Sequence, residues 1–325
     1  MLKSRLRKGL AMGKEVLALL DSADTPEQKV RGHFYFAMPS FWLGDFIAAR
    51  EHLETAVALC AVIPEKRIIG VQPGCLQYLA WTLWYMGNPD CGLSAARRAL
   101  VLARSSDHPF TLASALNQVA RFHILRREAH IALELANEGL AFSNRYGFPT
   151  WAAESTLVRG WALAATGHVS EGVAELRAGL AARDAIREFG AQPHYKGWLA
   201  EACGRIGRVE EGLELIASVL DREHEILVYE PELHMVRASL LLVRDPTATE
   251  EASNCMRTAL EIAKGHGSKS WELRATLGLA RLLRDTNRRE EAGSMLADIY
   301  GWFTEGFDTA DLKDAKALLK EFADK

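Results

Sequence analysis

Residues 149–180 read PTWAAESTLVRGWALAATGHVSEGVAELRAGL. Two apolar blocks are parted by Gly167-His168, the kind of pair that ends one helix in a left-handed cap and lets the next begin. Pro149 stands where the first helix starts, a place where a missing N–H costs little. Gly172 opens the second block, and Leu176, Gly179 and Leu180 follow it at steps of four, seven and eight, the spacing of one helical face. Gly160 precedes Gly172 by twelve residues, so each helix carries a small residue where the two would cross closely. The stretch predicts a helical hairpin.

The hairpin recurs. Positions equivalent to Gly172 are Ala49, Gly92, Ala132, Gly212, Ala252 and Ala292, with a first step of 43 and then steps of 40. Positions equivalent to Gly160 are Ala37, Ala80, Ala120, Ala200 and Ala280, with Leu240 as the exception. The columns that follow at four, seven and eight hold their register as well, for example Leu53, Ala96, Ala136, Ile216, Met256 and Leu296. Gly44-Asp45, Gly87-Asn88-Pro89-Asp90 and Gly207-Arg208 repeat the inner turn, while Pro109, Pro193 and Pro231 repeat the start of the first helix. Strand signals are absent from the pattern. The expectation is an all-α chain of about seven two-helix units, A and B, over residues 28–300, with an N-terminal helix in 1–27 and a capping helix in 301–325.

Small residues at these intervals resemble the tetratricopeptide repeat, which implies a right-handed superhelix with a concave face lined by the A helices. The period of 40 exceeds that family's 34, and the family's proline at the end of helix B is missing. In the cap, Asp308 is the expected N-cap, with Asp311 in the first turn and Lys316 and Lys320 toward the other end. Tyr300, Trp302, Phe303 and Phe307 are expected to cover the last apolar face.

Composition narrows the function. The chain is 49% hydrophobic and 25% charged with a formal net charge of -3, which argues against disorder and against a nucleic-acid partner. Cys60, Cys75, Cys91, Cys203 and Cys255 are scattered singly, with no CxxC pair, so neither a disulfide framework nor a zinc site is expected. Lys3, Arg5, Arg7 and Lys8 give the N-terminus the outline of a signal peptide. Lys14 and Glu15 break its apolar stretch, so an amphipathic first helix is expected instead. No apolar run reaches the length of a membrane span, and the expected setting is the cytoplasm.

Several stretches resemble the C-terminal helical region of bacterial adenylate/guanylate cyclases fused to a predicted signal-transduction ATPase. They are Tyr78-Leu79-Ala80-Trp81, His108-Pro109-Phe110, Arg159-Gly160-Trp161-Ala162-Leu163, Gly207-Arg208-Val209-Glu210-Glu211-Gly212, Lys269-Ser270-Trp271-Glu272-Leu273-Arg274-Ala275 and Tyr300-Gly301-Trp302-Phe303-Thr304-Glu305-Gly306-Phe307-Asp308, the last two being the most specific. The resemblance runs from about residue 33 to the end and implies a regulatory, partner-binding region. It carries over no cyclase or ATPase residues.

Catalytic signals are weak throughout. Gly265-His266-Gly267-Ser268-Lys269-Ser270 resembles the end of a P-loop, but the GxxxxGK[ST] spacing fails and no strand precedes it, so it reads as an inter-repeat loop and helix start. Glu230, Glu232 and His234, with His224 nearby, form the densest group of ligating side chains, and solvated residues at a helix start account for them. There is no HExxH and no GxSxG elbow. The chain is therefore expected to be non-catalytic, without cofactor or metal.

The resemblance to tetratricopeptide proteins places partner binding on the concave face, one position after the small residue of helix A. That column reads Met38, Trp81, Arg121, Trp161, Glu201, Leu241 and Arg281, with Gln77, Trp84, Asn117, Glu154, His194, His234, Arg237, Arg244, Arg274 and Arg284 as neighbours. Trp81, Trp84 and Trp161 around Asn117 and Arg121 make an expected aromatic groove with hydrogen-bonding groups, and Gln77 and Glu154 are expected on the same partner-binding face. Arg237, Arg244, Arg274, Arg281 and Arg284 make an expected basic lane for carboxylates or phosphate. The functional expectation is a scaffold for a protein or peptide partner in bacterial signalling. The alternative is a small-ligand sensor that controls an adenylate cyclase or signalling ATPase.

Overall fold

The computed structural model describes residues 5–20, 25–64, 67–187, 192–221, 227–284 and 288–324, and its regular structure there is entirely helical. Helix α1 (Arg5–Leu20) leads into α2 (Pro26–Trp42) and α3 (Phe46–Cys60), then α4 (Val71–Tyr85) and α5 (Pro89–Ser105), then α6 (Pro109–Leu125) and α7 (Ala129–Tyr146). Helices α8 (Pro149–Ala165) and α9 (Val169–Ala185), α10 (Gln192–Arg205) and α11 (Val209–Leu220), α12 (Glu230–Arg244) and α13 (Thr249–Gly265), α14 (Lys269–Leu283) and α15 (Arg289–Trp302) continue the alternation, and α16 (Ala310–Ala323) closes it. Among the described residues no helix is long and apolar enough to cross a membrane. None of their side chains forms a group of three or more His, Cys, Asp or Glu able to hold a metal ion. Lys3 and His224 lie outside the described residues.

The small columns are the points where helices A and B touch. A Cβ added to Gly172 would stand 2.5 Å from the carbonyl oxygen of Gly160, and one added to Gly212 would stand 2.8 Å from that of Ala200. Leu240, the exception, projects into the space that glycine leaves: its Cδ2 lies 2.4 Å from where a Cβ of Gly204 would sit. The inner turns use left-handed glycines as the pattern implied, with φ of +81° at Gly44, +87° at Gly87, +101° at Gly167 and +78° at Gly207. In the cap, Thr309 rather than Asp308 is the N-cap residue, and its hydroxyl donates to the carbonyl of Gly306 at 2.6 Å.

The superhelix closes on itself. The C-terminal end of α4 presents carbonyls with acceptor capacity to spare, that of Trp84 already taking the Gly87 N–H at 3.0 Å, and the start of α14 supplies hydroxyls for them. Ser268 Oγ donates to the Tyr85 carbonyl at 3.1 Å and Ser270 Oγ to that of Trp84 at 2.5 Å, while Trp271 meets Trp84 edge-on with centroids 5.3 Å apart. The P-loop-like stretch is thus an inter-repeat loop and helix start that seals a seam. Beside it, the first turn of α5 leaves N–H groups unspent, and Glu305 Oε1 accepts from Asp90 N at 2.9 Å and Cys91 N at 3.0 Å across 215 and 214 residues. Asp90 Oδ2 in return accepts from Gly306 N at 2.8 Å. Phe303 is buried at this seam, whereas Trp302 and Phe307 stay partly exposed.

Candidate functional site

Closure divides the concave face into a filled half and an open half. The filled half contains the expected aromatic groove. Gln77, Trp81, Trp84, Asn117, Arg121 and Glu154 are all buried, with Asn117 fully so and Arg121 5% exposed. They do face inward, as their register required, but Tyr229 fills the space in front of Arg121, and Trp271 and Arg274 cover Trp84. Residues Leu227–Tyr229 form a 3-10 turn before α12. The Tyr229 ring lies 5.8 Å from Trp42 and stacks on His194 at 3.8 Å, and its hydroxyl accepts from Arg121 Nη2 at 2.6 Å. The expectation of an open aromatic groove at these residues is corrected accordingly.

Arg121 is held through its two terminal nitrogens and the face of its guanidinium, while its buried Nε finds no acceptor. Its guanidinium stands 4.6 Å from the centroid of the Trp81 ring and 3.9 Å from Glu154 Oε2. Glu154 Oε1 accepts from Arg183 Nη1 at 2.6 Å, and with its amide turned to suit the network Asn117 donates to Glu154 Oε2 at 3.1 Å. Burial pushes the neighbouring Tyr195 and Tyr229 hydroxyls far up, against the pull of Arg121, so both stay neutral. Burial likewise lowers His194 below its usual range, although Glu232 Oε2 lies 2.9 Å from its Nδ1 and opposes the shift. This network is a polar core with no free face.

The open half is a cavity of about 470 Å³ enclosed by α6, α8, α10, α12, α14 and α16. Trp161, Leu125, Met235, Trp271 and Leu277 give it an apolar lining. Glu201 and Arg205 of α10, with Glu232 of α12, bring charge to one wall, while Arg274 and Arg281 of α14, Asp311 and Asp314 of α16, and Arg127 bring it to the other. Of the concave-face residues the sequence singled out, Trp161, Glu201, Arg274 and Arg281 line this cavity. The basic lane is not continuous. Arg244 sits on an outer cleft with Glu211 and lies 4.0 Å from Glu251, Arg284 pairs with Glu321 at 3.3 Å, and Arg237 is exposed on α12 outside the cavity lining.

The arginines of the second wall share two carboxylates. Arg127 Nη1 lies 3.2 Å from Asp311 Oδ1 and 2.9 Å from Asp314 Oδ2, Arg274 Nη2 lies 2.8 Å from Asp311 Oδ2, and Arg281 Nη2 lies 3.2 Å from Asp314 Oδ2. Arg274 also donates to the carbonyl of Leu125. Hydrogen bonds from Arg127 and Arg281 hold the Asp314 carboxyl below its usual range even though partial burial works the other way. Arg127 itself has a φ of +63° and occupies the turn position where Gly44, Gly87, Gly167 and Gly207 stand in other units. A side chain in that conformation costs about 1–2 kcal/mol, and here it delivers the guanidinium to α16. The broken glycine column was the sequence signal for it.

With the geometry in place, the relatives can be set beside it. The fold is that of TPR-like helical-repeat proteins. A Rap protein complexed with Competence and Sporulation Factor superposes with a TM-score of 0.65 at 12% identity, over 95% of this chain and 81% of that one. A Rap conjugation gene regulator of the plasmid pLS20, in complex with the Phr* peptide, gives 0.59 at 11% over 99% and 92%. NprR in complex with its cognate peptide NprX gives 0.58 at 11% over 93% and 84%. No protein-family model matches the chain. Uncharacterized protein R02095 of Rhizobium meliloti (strain 1021) is 26% identical over 285 residues, which is 82% of this chain and 27% of that protein, so the chain spans about a quarter of the relative's length.

Proposed function

We propose that the chain is a peptide-binding regulatory scaffold whose ligand occupies the cavity between α8, α10, α12, α14 and α16. The observation that carries the proposal is the cavity itself: about 470 Å³ of space, floored by Trp161, Met235, Trp271 and Leu277 and walled by charged side chains. An apolar floor with a few convergent polar groups is the usual form of a ligand site, and the volume falls within the range of such sites. Three TPR-like proteins of similar fold were solved with Competence and Sporulation Factor, the Phr* peptide and the peptide NprX, which supports a peptide as the ligand class. The resemblance to cyclase-associated helical regions, and a relative of which the chain matches only 27%, support a role as the regulatory segment of a bacterial signalling protein.

Peptide display selection tests the reading. Ser239 is exposed in the cavity wall, so Ser239→Trp would fill the space while leaving the hairpin crossings untouched. Random peptides are expected to be enriched on the wild type and not on Ser239→Trp. Equal enrichment on both folded proteins would move the ligand site elsewhere.

A further inference from the structure

The cavity has two electrically different walls. On the side of α14 and α16, three arginines (Arg127, Arg274 and Arg281) face two aspartates (Asp311 and Asp314), which leaves one positive charge over. Arg281 and Arg127 keep side-chain exposures of 53% and 44%, so their guanidiniums have N–H groups available to a ligand. On the side of α10 and α12, two glutamates (Glu201 and Glu232) face one arginine (Arg205), which leaves one negative charge over. Glu232 is engaged beside His194, at 2.9 Å. Glu201 is different. Its carboxylate makes no hydrogen bond or ion pair among the described residues, and it lines the cavity while staying exposed to solvent. The protein packed around the cavity pushes its carboxyl up despite that exposure, Glu232 adds to the push, and Arg205, Arg274 and Arg127 counter it. The last two belong to the opposite wall, so the two poles act on each other through the cavity.

Size restricts the occupant further. An α-helix with its side chains fills roughly 400–600 Å³ per turn, from its 10–12 Å diameter and 5.4 Å pitch. A cavity of about 470 Å³ therefore holds about one turn of helix or a few extended residues.

Resting on the peptide-binding reading above, we infer that the ligand is a short peptide with opposite charges at its two ends, its cationic nitrogen on Glu201 and its carboxylate on Arg281 and Arg127. Apolar side chains between the ends lie on Trp161, Met235 and Leu277. The uncompensated Glu201 carboxylate and the surplus arginine charge are both satisfied by one such ligand, and a uniformly acidic or uniformly basic peptide satisfies only one of them.

The test uses the full chain and four pools of synthetic pentapeptides with randomised apolar centres, read by the tryptophan fluorescence of Trp161 and Trp271. The first pool begins with Lys and has free termini. The second is acetylated and carries norleucine in place of Lys, the third is the first pool amidated at its C-terminus, and the fourth combines both changes. A charge-assisted hydrogen bond of the usual strength corresponds to roughly ten- to hundredfold in affinity. The first pool is expected to bind at least about tenfold more tightly than the second or the third. Glu201→Gln is expected to abolish the difference between the first and second pools, and Arg281→Gln that between the first and third. Neither side chain holds the fold together, since Glu201 is unpaired among the described residues and the Arg281 pair is solvent-exposed. If all four pools bind the wild type equally, peptide binding stands and the charge polarity is overturned. If none binds, both inferences fall.

Discussion

Replacing Glu154 by glutamine should destabilise the protein more than replacing Arg121 by methionine, although both remove one charge from the same buried pair. In the wild type Glu154 accepts from Arg183 at 2.6 Å and from Asn117 at 3.1 Å and faces Arg121 at 3.9 Å. Glu154→Gln leaves Arg121 buried with no other carboxylate within ion-pair distance among the described residues. Breaking a buried pair in this way costs about 3–5 kcal/mol. Arg121→Met removes the buried ion itself, and Glu154 keeps its shorter bond to Arg183. What is lost is the hydrogen bond to Tyr229, about 1.5–3 kcal/mol, together with the longer one to Gln118 and the cation–π contact with Trp81; relief of the guanidinium's desolvation and the apolar contacts of the methionine end offset much of this. The net cost should be about 1–3 kcal/mol, so the two variants should differ by about 2 kcal/mol, which urea unfolding at equilibrium resolves. An Arg121→Met variant at least as unstable as Glu154→Gln would show that the carboxylate does not anchor this core.

Two further outcomes follow from the geometry. Ala200→Leu places a large side chain at the crossing where Ala200 meets Gly212 and should cost about 1–3 kcal/mol, whereas Arg281→Ala removes only an exposed pair and should cost under about 1 kcal/mol; equal shifts in thermal melts would mean that the register is wrong. Acidification should also destabilise the fold, because burial lowers His194 from its usual value of 6.5, so below that pH the unfolded chain takes up a proton that the folded chain refuses. His194 contributes a slope of up to about 1.4 kcal/mol per pH unit, and His52, His234 and His266 are shifted the same way. Unfolding measured at pH 7.5, 6.5 and 5.5 should show stability falling, less steeply in His194→Gln; an unchanged slope in that variant would remove His194 from the account.

What the sequence made legible was everything that repeats. The small columns at Gly160 and Gly172, the turn glycines and the inward-facing column of Trp81, Arg121, Trp161 and Glu201 are local, periodic features, and each is set by the crossing of two neighbouring helices. The seam was illegible for the opposite reason. Ser270 meets Trp84 and Glu305 meets Asp90 across 186 and 215 residues, and such contacts leave no period to find. Missing the Leu227–Tyr229 turn meant reading Trp81 and Arg121 as groove residues, because an inward-facing side chain lines a groove only where no other segment packs against it. Arg244 and Arg284 were misplaced for a different reason: they lie at the ends of their helices, where a residue one turn from the inward column has already rotated toward solvent and neighbouring acids.

Closure also changes how the stability of this chain is organised. In an open solenoid each unit touches only its neighbours, and stability is close to a sum over units and interfaces. Here Trp271 belongs to the same apolar core as Trp84 and Phe41, and the carbonyls at the end of α4 and the N–H groups at the start of α5 are satisfied by residues from the far end of the chain. Removing the last units would strip a helix C-terminus and a helix N-terminus of their partners and uncover tryptophan surface, so the first units lose more than one interface. The same contacts help hold the second charged wall of the cavity in place, because they keep α14 and α16 beside α4, α5 and the Arg127 turn. Ligand binding across the two walls and closure of the ring therefore draw on one set of contacts: a ligand that bridges Glu201 and Arg281 stabilises the closed ring by its affinity for it. A partner that needs the ring open competes with that ligand.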